Sequence, residues 1–223
     1  MKPVTVITGA TGGIGAALAR SLEGHELILF GRDAAKLEAL RATLPDAHAV
    51  NLELRRPEEF AAALEGFPRI DNLIHNAGAV QLGTVAEVSL EVWRELLEVN
   101  LLAAVELTRV LLPRLRETKG QVLFVNSGAG LSANAGWSAY AASKFALRAF
   151  AESLALEQPD LRVQSVYPGR TATAMQERVR EQENAPYEPE GYIQPETLAT
   201  TIRTMLELPR DSVLAQVIVN RVQ

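Results

Sequence analysis

Apolar residues along this chain gather in short runs of strand length, separated by longer stretches in which they recur with the period of a helix. Residues 4–8 form the first run and 10–22 the first helical stretch; 26–30 and 33–44 repeat the pair, which predicts a βαβ start. The alternation continues with strands predicted at 47–52, 71–75, 121–126 and 162–167, and with helices at 57–64, 89–112 and 139–157. A last helix over 195–208 leads into a seventh strand over 213–219. Strand-length runs alternating with covering helices predict an α/β fold, a doubly wound parallel sheet of about seven strands with helices on both faces. Residues 172–194 lack periodicity, and Pro186, Pro189, Gly191 and scattered charges predict an exposed connection there, a candidate lid. No repeat, low-complexity tract or linker marks a boundary, so residues 1–223 are expected to form one domain.

Composition narrows the function more than the fold. At 223 residues and 48% hydrophobic content, with a mean hydropathy of +0.04, the chain is long enough for one well-buried core. The net charge of −5 is scattered, with no basic block to grip a phosphate backbone, so no nucleic-acid partner is expected. The absence of cysteine excludes disulfides, thiolate catalysis and thiolate-bound metal. Only His25, His48 and His75 remain as imidazole ligands, so no metal site is expected. The apolar run at the amino terminus is far shorter than a signal-peptide core or a membrane span, which gives the expectation of a cytoplasmic protein with no membrane partner.

Three local patterns carry chemistry. Directly after the first predicted strand come Thr8, Gly9, Ala10, Thr11, Gly12, Gly13, Ile14 and Gly15, opening into an alanine-rich helix. Glycines let the backbone approach a pyrophosphate, and the first N–H groups of the helix attract it, so strand, glycine turn and helix predict a dinucleotide site. At the end of the second strand no carboxylate occupies Gly31, where a ribose 2′-hydroxyl partner is expected; Arg32 follows instead and suits a 2′-phosphate. NADP(H) is therefore expected in preference to NAD(H). Tyr140 and Lys144 are four residues apart on a predicted helix, so they share a face, and the ammonium is expected to lower the tyrosine pKa towards a working range for proton transfer. Alone, that pair is a common surface pattern.

In this company the chain resembles the short-chain dehydrogenase/reductase family, over residues 4–173 and through several motifs in order. The family glycine turn is similar to Thr8 through Gly15, and its N-A-G motif matches Asn76, Ala77 and Gly78. The long-helix asparagine matches Asn100, and the catalytic serine matches Ser127. Tyr140 and Lys144 follow at the family spacing, and Pro168 and Gly169, with Thr171 and Thr173, match the segment that closes over the nicotinamide. The resemblance implies a Rossmann-type fold and hydride exchange between nicotinamide and a small carbonyl or alcohol. It implies Tyr140 as acid/base, Lys144 lowering its pKa and binding the nicotinamide ribose, Ser127 hydrogen-bonding the substrate oxygen and Asn100 holding a water on Lys144. Glu53, with Leu54 beside it, stands where the family usually has an aspartate near the adenine, which weakens that contact. The glycine turn also fits the longer epimerase-like branch, whose carboxy-terminal substrate domain this chain lacks; length and the Ser127 spacing favour the short, single-domain branch.

Residues 129–137, with Met175, Tyr187 and Tyr192, are expected to wall a partly apolar substrate pocket. Ala139, Ala142, Ala146 and Ala149 allow close helix packing, and the resemblance implies a homodimer or homotetramer through the long helices. Two other readings stay open: an NADP(H)-binding sensor or scaffold without turnover, and an epimerase or dehydratase that returns its cofactor unchanged.

Overall fold

The computed structural model describes residues 1–222. Seven parallel strands form one sheet in the order β3-β2-β1-β4-β5-β6-β7. They are β1 Val4–Thr8, β2 Glu26–Gly31, β3 Ala47–Asn51, β4 Asn72–His75, β5 Gln121–Val125, β6 Arg162–Pro168 and β7 Gln216–Val219. The intervening helices are α1 Gly13–Ser21, α2 Ala34–Arg41, α3 Phe60–Ala63, α4 Leu90–Leu97, α5 Ala103–Thr118, α6 Ser138–Glu157, α7 Ala174–Gln182 and α8 Pro195–Glu207.

The central strands are aliphatic at nearly every position because both of their faces are covered. Alternate residues feed two cores. Val4, Val6, Phe30, Leu73, Val122 and Phe124 pack with Leu107 and Leu111 of α5 and Leu147 of α6 on one face. Ile7, Leu29, Ile74, Leu123 and Val166 pack with Leu18 of α1, Leu37 of α2 and Ile202 of α8 on the other. Each fully buried leucine or isoleucine contributes roughly 1.5–3 kcal/mol relative to exposure.

The order of strands creates the site. The chain winds outward from β1 to β3, then crosses back to place β4 on the other side of β1. The turns leaving β1 and β4 therefore diverge, opening a crevice at the carboxyl edge of the sheet.

The elements differ from the sequence expectation at several points. The helix predicted over 57–64 is a 3-10 turn at Pro57–Glu59 followed by the single turn of α3. The helix predicted over 89–112 is α4 and α5 joined by a π-helical segment, Glu98–Leu102, and it runs through Pro113 to Thr118. Proline is tolerated there because it faces solvent, where water satisfies the carbonyl it leaves unpaired, while buried Leu111 and Leu115 hold the helix on either side. The expected irregular connection at 172–194 instead contains α7. Its one sharp sequence signal is a cap: the Thr173 side chain accepts from the N–H of Gln176. Only Gln176 and Val179 of that helix are buried, too few to show as an apolar stripe.

Candidate active site

After β1 the chain turns at Gly9 with φ +64°, a left-handed conformation that glycine adopts without strain. A Cβ there would stand 2.8 Å from the Cα of Ala77, so the turn closes directly on the segment that follows β4. Asn76 ties the two together: its Nδ2 donates to the carbonyls of Thr8 and Gly9, each at 3.0 Å. Thr8 returns the link, its Oγ1 accepting the N–H groups of Asn76 and Ala77 at 3.0 Å. A Cβ on Gly15 would press on that amide at 2.7 Å, and one on Gly13 would meet Cγ2 of Thr173 at 2.7 Å. Gly12 caps α1 without a side-chain hydrogen bond, which leaves the N–H groups of Gly13, Ile14 and Gly15 for an anion beside Thr11. This cradle, built of glycine where side chains have no room, fits a dinucleotide pyrophosphate.

Along the same edge, Arg32 follows β2 with its side chain 69% exposed. Gly31 is confined: a Cβ would lie 3.2 Å from Leu37 Cδ1 and 3.5 Å from Thr11 Cγ2. Glu53 is engaged with arginines, its Oε2 4.0 Å from Arg32 and 3.5 Å from Arg55. Leu54 is half-buried and packs against the core.

Past the end of β5, Asn126 and Ser127 meet α6. Asn126 is buried, donates to the carbonyl of Lys144 at 3.1 Å and accepts the N–H of Ser127 at 2.9 Å, so one amide sets the serine against the helix. Ser127 Oγ in turn accepts the N–H of Ala129 at 3.1 Å. Tyr140 lies in a small apolar cluster with Leu96, Ala129 and Trp137, whose ring centroid is 5.9 Å from its own. Lys144 is buried, and its Nζ donates to the carbonyl of Val125 at 3.2 Å. Asn100 sits in the π-helical segment, clamped to both backbone groups of Ala79 (Oδ1 from the N–H at 2.7 Å, Nδ2 to the carbonyl at 2.9 Å) and to Ser143 Oγ at 2.9 Å. Gly78 separates Asn100 from Lys144: a Cβ there would be 3.3 Å from Asn100 Oδ1 and 3.7 Å from Lys144 Nζ. Residues from four elements thus converge beside the glycine turn.

The electrostatics depart from the sequence expectation. Burial pushes the Tyr140 phenol up from its ordinary value, and a hydrogen bond from Ser127 pulls in the opposite direction. Lys144 is itself desolvated, down to about 8, and stands 6.0 Å from the Tyr140 ring centroid. Burial thus holds the phenol protonated against the Ser127 hydrogen bond, and the lowering expected from Lys144 is not among the causes of its shift.

Pro168 ends β6, Gly169 donates its N–H to Val219 at 2.9 Å, and Thr171 Oγ1 donates to the carbonyl of Gly169 at 3.0 Å. Ala172 donates to Ile193 and Ile193 to Arg170, so the excursion carrying α7 leaves and returns at one point. Arg170 and Arg180 both grip Glu183, and the Arg170 guanidinium lies 6.0 Å from the Trp137 ring centroid. Gln182 at the end of α7 accepts the N–H of Leu82 at 2.7 Å. Beneath that bridge, a cleft of about 430 Å³ is bounded by Leu82, Val88, Val92 and Gln182. Met175 is half-buried, while Tyr187 and Tyr192 stack on each other at 5.6 Å. Sequence reasoning missed the positioning roles of Asn126, Ser143, Arg55 and Gln182; the first two were signalled only by standing next to Ser127 and Lys144.

Comparison with known proteins agrees with this geometry. A family model described as short chain dehydrogenase matches residues 3–184. The chain is 35% identical over 194 residues to the uncharacterized oxidoreductase YciK of Escherichia coli, covering 77% of this chain and 75% of that protein. It superposes on an alcohol dehydrogenase from the archaeon Thermococcus sibiricus complexed with 5-hydroxy-NADP, with a TM-score of 0.90, 28% identity and all of both chains covered. An actinorhodin polyketide ketoreductase with NADPH gives a TM-score of 0.89 at 26% identity, covering 98% of this chain and 95% of that one. With the glycine cradle, the Asn76 clasp and the Ser127–Tyr140–Lys144 corner all in place, the chain belongs to the short-chain dehydrogenase/reductase family of nicotinamide-binding oxidoreductases.

Proposed function

We propose that the protein is an NADP(H)-dependent carbonyl reductase or alcohol dehydrogenase acting on a small, partly apolar substrate. The observation that carries this reading is the convergence of Ser127, Tyr140, Lys144 and Asn100 beside a cradle fitted to a pyrophosphate. A bound dinucleotide supplies or accepts the hydride. Tyr140, buried and protonated, gives its phenolic proton to the carbonyl oxygen during reduction and takes it back during oxidation. Ser127, directed by Asn126, donates a hydrogen bond to the same oxygen as charge develops on it. Lys144 favours the phenolate that remains and binds the nicotinamide ribose. Asn100, fixed by Ala79 and Ser143, holds a water on Lys144.

Gly9, Thr11, Gly12, Gly13, Ile14 and Gly15 receive the pyrophosphate, Arg32 the 2′-phosphate, and Asn76, Ala77 and Gly78 the middle of the dinucleotide. Glu53 and Leu54 flank the adenine, and Pro168, Gly169, Thr171 and Thr173 close over the nicotinamide. The structures with 5-hydroxy-NADP and NADPH support the choice of NADP(H). The exposed stripe of Ala142, Phe145 and Ala149 on α6 supports assembly through the long helices into a dimer or tetramer.

The test is Tyr140→Phe in the purified protein, with NADPH absorbance followed against a panel of carbonyl substrates. Turnover is expected to fall at least a hundredfold, the scale of general acid catalysis, while the NADPH dissociation constant changes little. Retained turnover sinks the assigned role. Substrate consumption without net NADPH change points instead to an epimerase, and cofactor binding with no turnover on any substrate to a sensor.

A further inference from the structure

At the carboxyl ends of β2 and β3, three charged side chains meet at one point. Glu53 folds its carboxylate back onto the chain: Oε1 accepts the N–H of Arg55 at 3.2 Å, and Oε2 lies 3.5 Å from Arg55 Nη2 and 4.0 Å from Arg32 Nη1. The placement is built from the backbone up. Gly31 pairs with Asn51 across the two strands, and the Asn51 amide donates to the carbonyls of Gly31 and Arg32 at 3.1 and 2.9 Å. That amide fixes where Arg32 leaves the sheet, directly opposite the start of the Glu53–Arg55 turn. The Glu53 side chain is 27% exposed, whereas those of Arg32 and Arg55 are 69% and 43% exposed. A shielded anion thus lies between two solvent-facing cations, and both cations converge on the same oxygen.

We propose that Glu53 is an internal stand-in for the cofactor's 2′-phosphate: Arg55 grips that phosphate together with Arg32, and the Glu53 carboxylate competes with it for both guanidiniums. The inference rests on the preference for NADP(H) proposed above and adds to it a second cation and a built-in competitor. A phosphate monoester carries more charge than a carboxylate and offers three oxygens to guanidinium forks, so it displaces Glu53 from a site that a neutral 2′-hydroxyl cannot open. Burial disfavours the Glu53 carboxylate, but the Arg55 N–H and the guanidiniums of Arg55 and Arg32 outweigh it, and the group stays ionised and able to compete. Arg55 also lies in the field of Glu95 and Glu98, so it does not stand as a free cation when Glu53 lets go. An anion arriving there meets a site tuned by acidic neighbours, and the strength of the NADP(H) preference is set by how readily Glu53 yields.

The experiment is a fluorescence titration of the full chain with NADPH and with NADH, repeated by competition with adenosine 2′,5′-bisphosphate and with AMP, for the wild type, Glu53→Gln and Arg55→Gln. The readout is the ratio of dissociation constants within each phosphorylated and unphosphorylated pair, which needs no substrate. Arg55→Gln is expected to lower the preference for the 2′-phosphorylated ligand about tenfold, the worth of one charge-assisted contact, and Glu53→Gln to raise it by a similar factor. An Arg55→Gln ratio equal to that of the wild type, or a Glu53→Gln ratio that fails to rise, overturns the proposal. A wild-type preference for NADH overturns the cofactor assignment itself, and does so before any variant is compared.

Discussion

In the role proposed for it, Lys144 sets function against stability within a single residue. Its ammonium is buried, donates to one carbonyl and, among the described residues, has no carboxylate partner, and desolvation brings it down to about 8. The unfolded chain holds the same proton up to about 10.5. The folded state therefore bears a penalty on the order of 3 kcal/mol at neutral pH, and the penalty fades as pH rises from 8 towards 10.5, where the folded chain sheds a proton the unfolded chain keeps. Lys144→Met is expected to be inactive yet more resistant to urea at neutral pH, with the gain shrinking above pH about 8. Urea midpoints measured across that range check it; a variant weaker than wild type at neutral pH shows that the buried ammonium is not a cost. The motif was legible in the sequence because Tyr140 and Lys144 are local. The direction of their electrostatics was not, because part of the burial comes from Leu96 and Ala129, which the chain brings in from other elements.

At the scale of elements, the glycine turn and α7 depend on one another through a single methyl. Gly13 has no room for a Cβ because Thr173 Cγ2 occupies the space, while Thr173 Oγ1 caps α7. Gly13→Ala is expected to cost about 1–3 kcal/mol through overpacking and to weaken NADPH binding. Thr173→Ser keeps the capping hydroxyl and removes the methyl, so it is expected to recover much of that loss in the double variant. A double-mutant cycle on chemical unfolding and cofactor affinity measures the coupling, and additive effects refute the contact. The turn itself was readable as Gly9, Gly12, Gly13 and Gly15 after an apolar strand. Its partner Thr173 could be named only through the family resemblance, and α7 was missed because a cap and the Arg170–Glu183–Arg180 ion pairs, not an apolar stripe, define it. A chain of side-chain hydrogen bonds from His25 through Thr5, Asn72 and Gln121 to Gln164 likewise crosses four strands, and no local pattern announces it.

For the whole molecule, the weak point under acid lies in the core. His75 ends β4 buried, stacked on Phe124 at 4.9 Å and hydrogen-bonded to Thr108 of α5 at 2.9 Å. Burial drives it from 6.5 down to about 3. The unfolded chain takes up a proton near 6.5 that the folded chain refuses until about 3, so stability falls as pH drops through that window, by roughly a kcal/mol for each pH unit. His75→Gln, which cannot titrate, is expected to flatten this part of the curve whatever its effect on absolute stability. Chemical unfolding between pH 7 and about 4 reads the slope; equal slopes in both proteins exclude His75 as the acid trigger.

The alternation of strands and helices, the parallel sheet, the glycine turn after β1 and the Tyr140–Lys144 pair could be read from the sequence, because each is written in neighbouring residues or in a period of two or 3.6. Which groups those motifs face depends on contacts between distant segments. The crossing from β3 back to β4 brings Asn76 against Gly9, Asn126 sets Ser127 against α6, and the Gly31–Asn51 pairing aims Arg32 at Glu53 and Arg55. Such contacts join residues tens of positions apart, and desolvation, hydrogen-bond direction and competition between charges exist only once those residues share a volume.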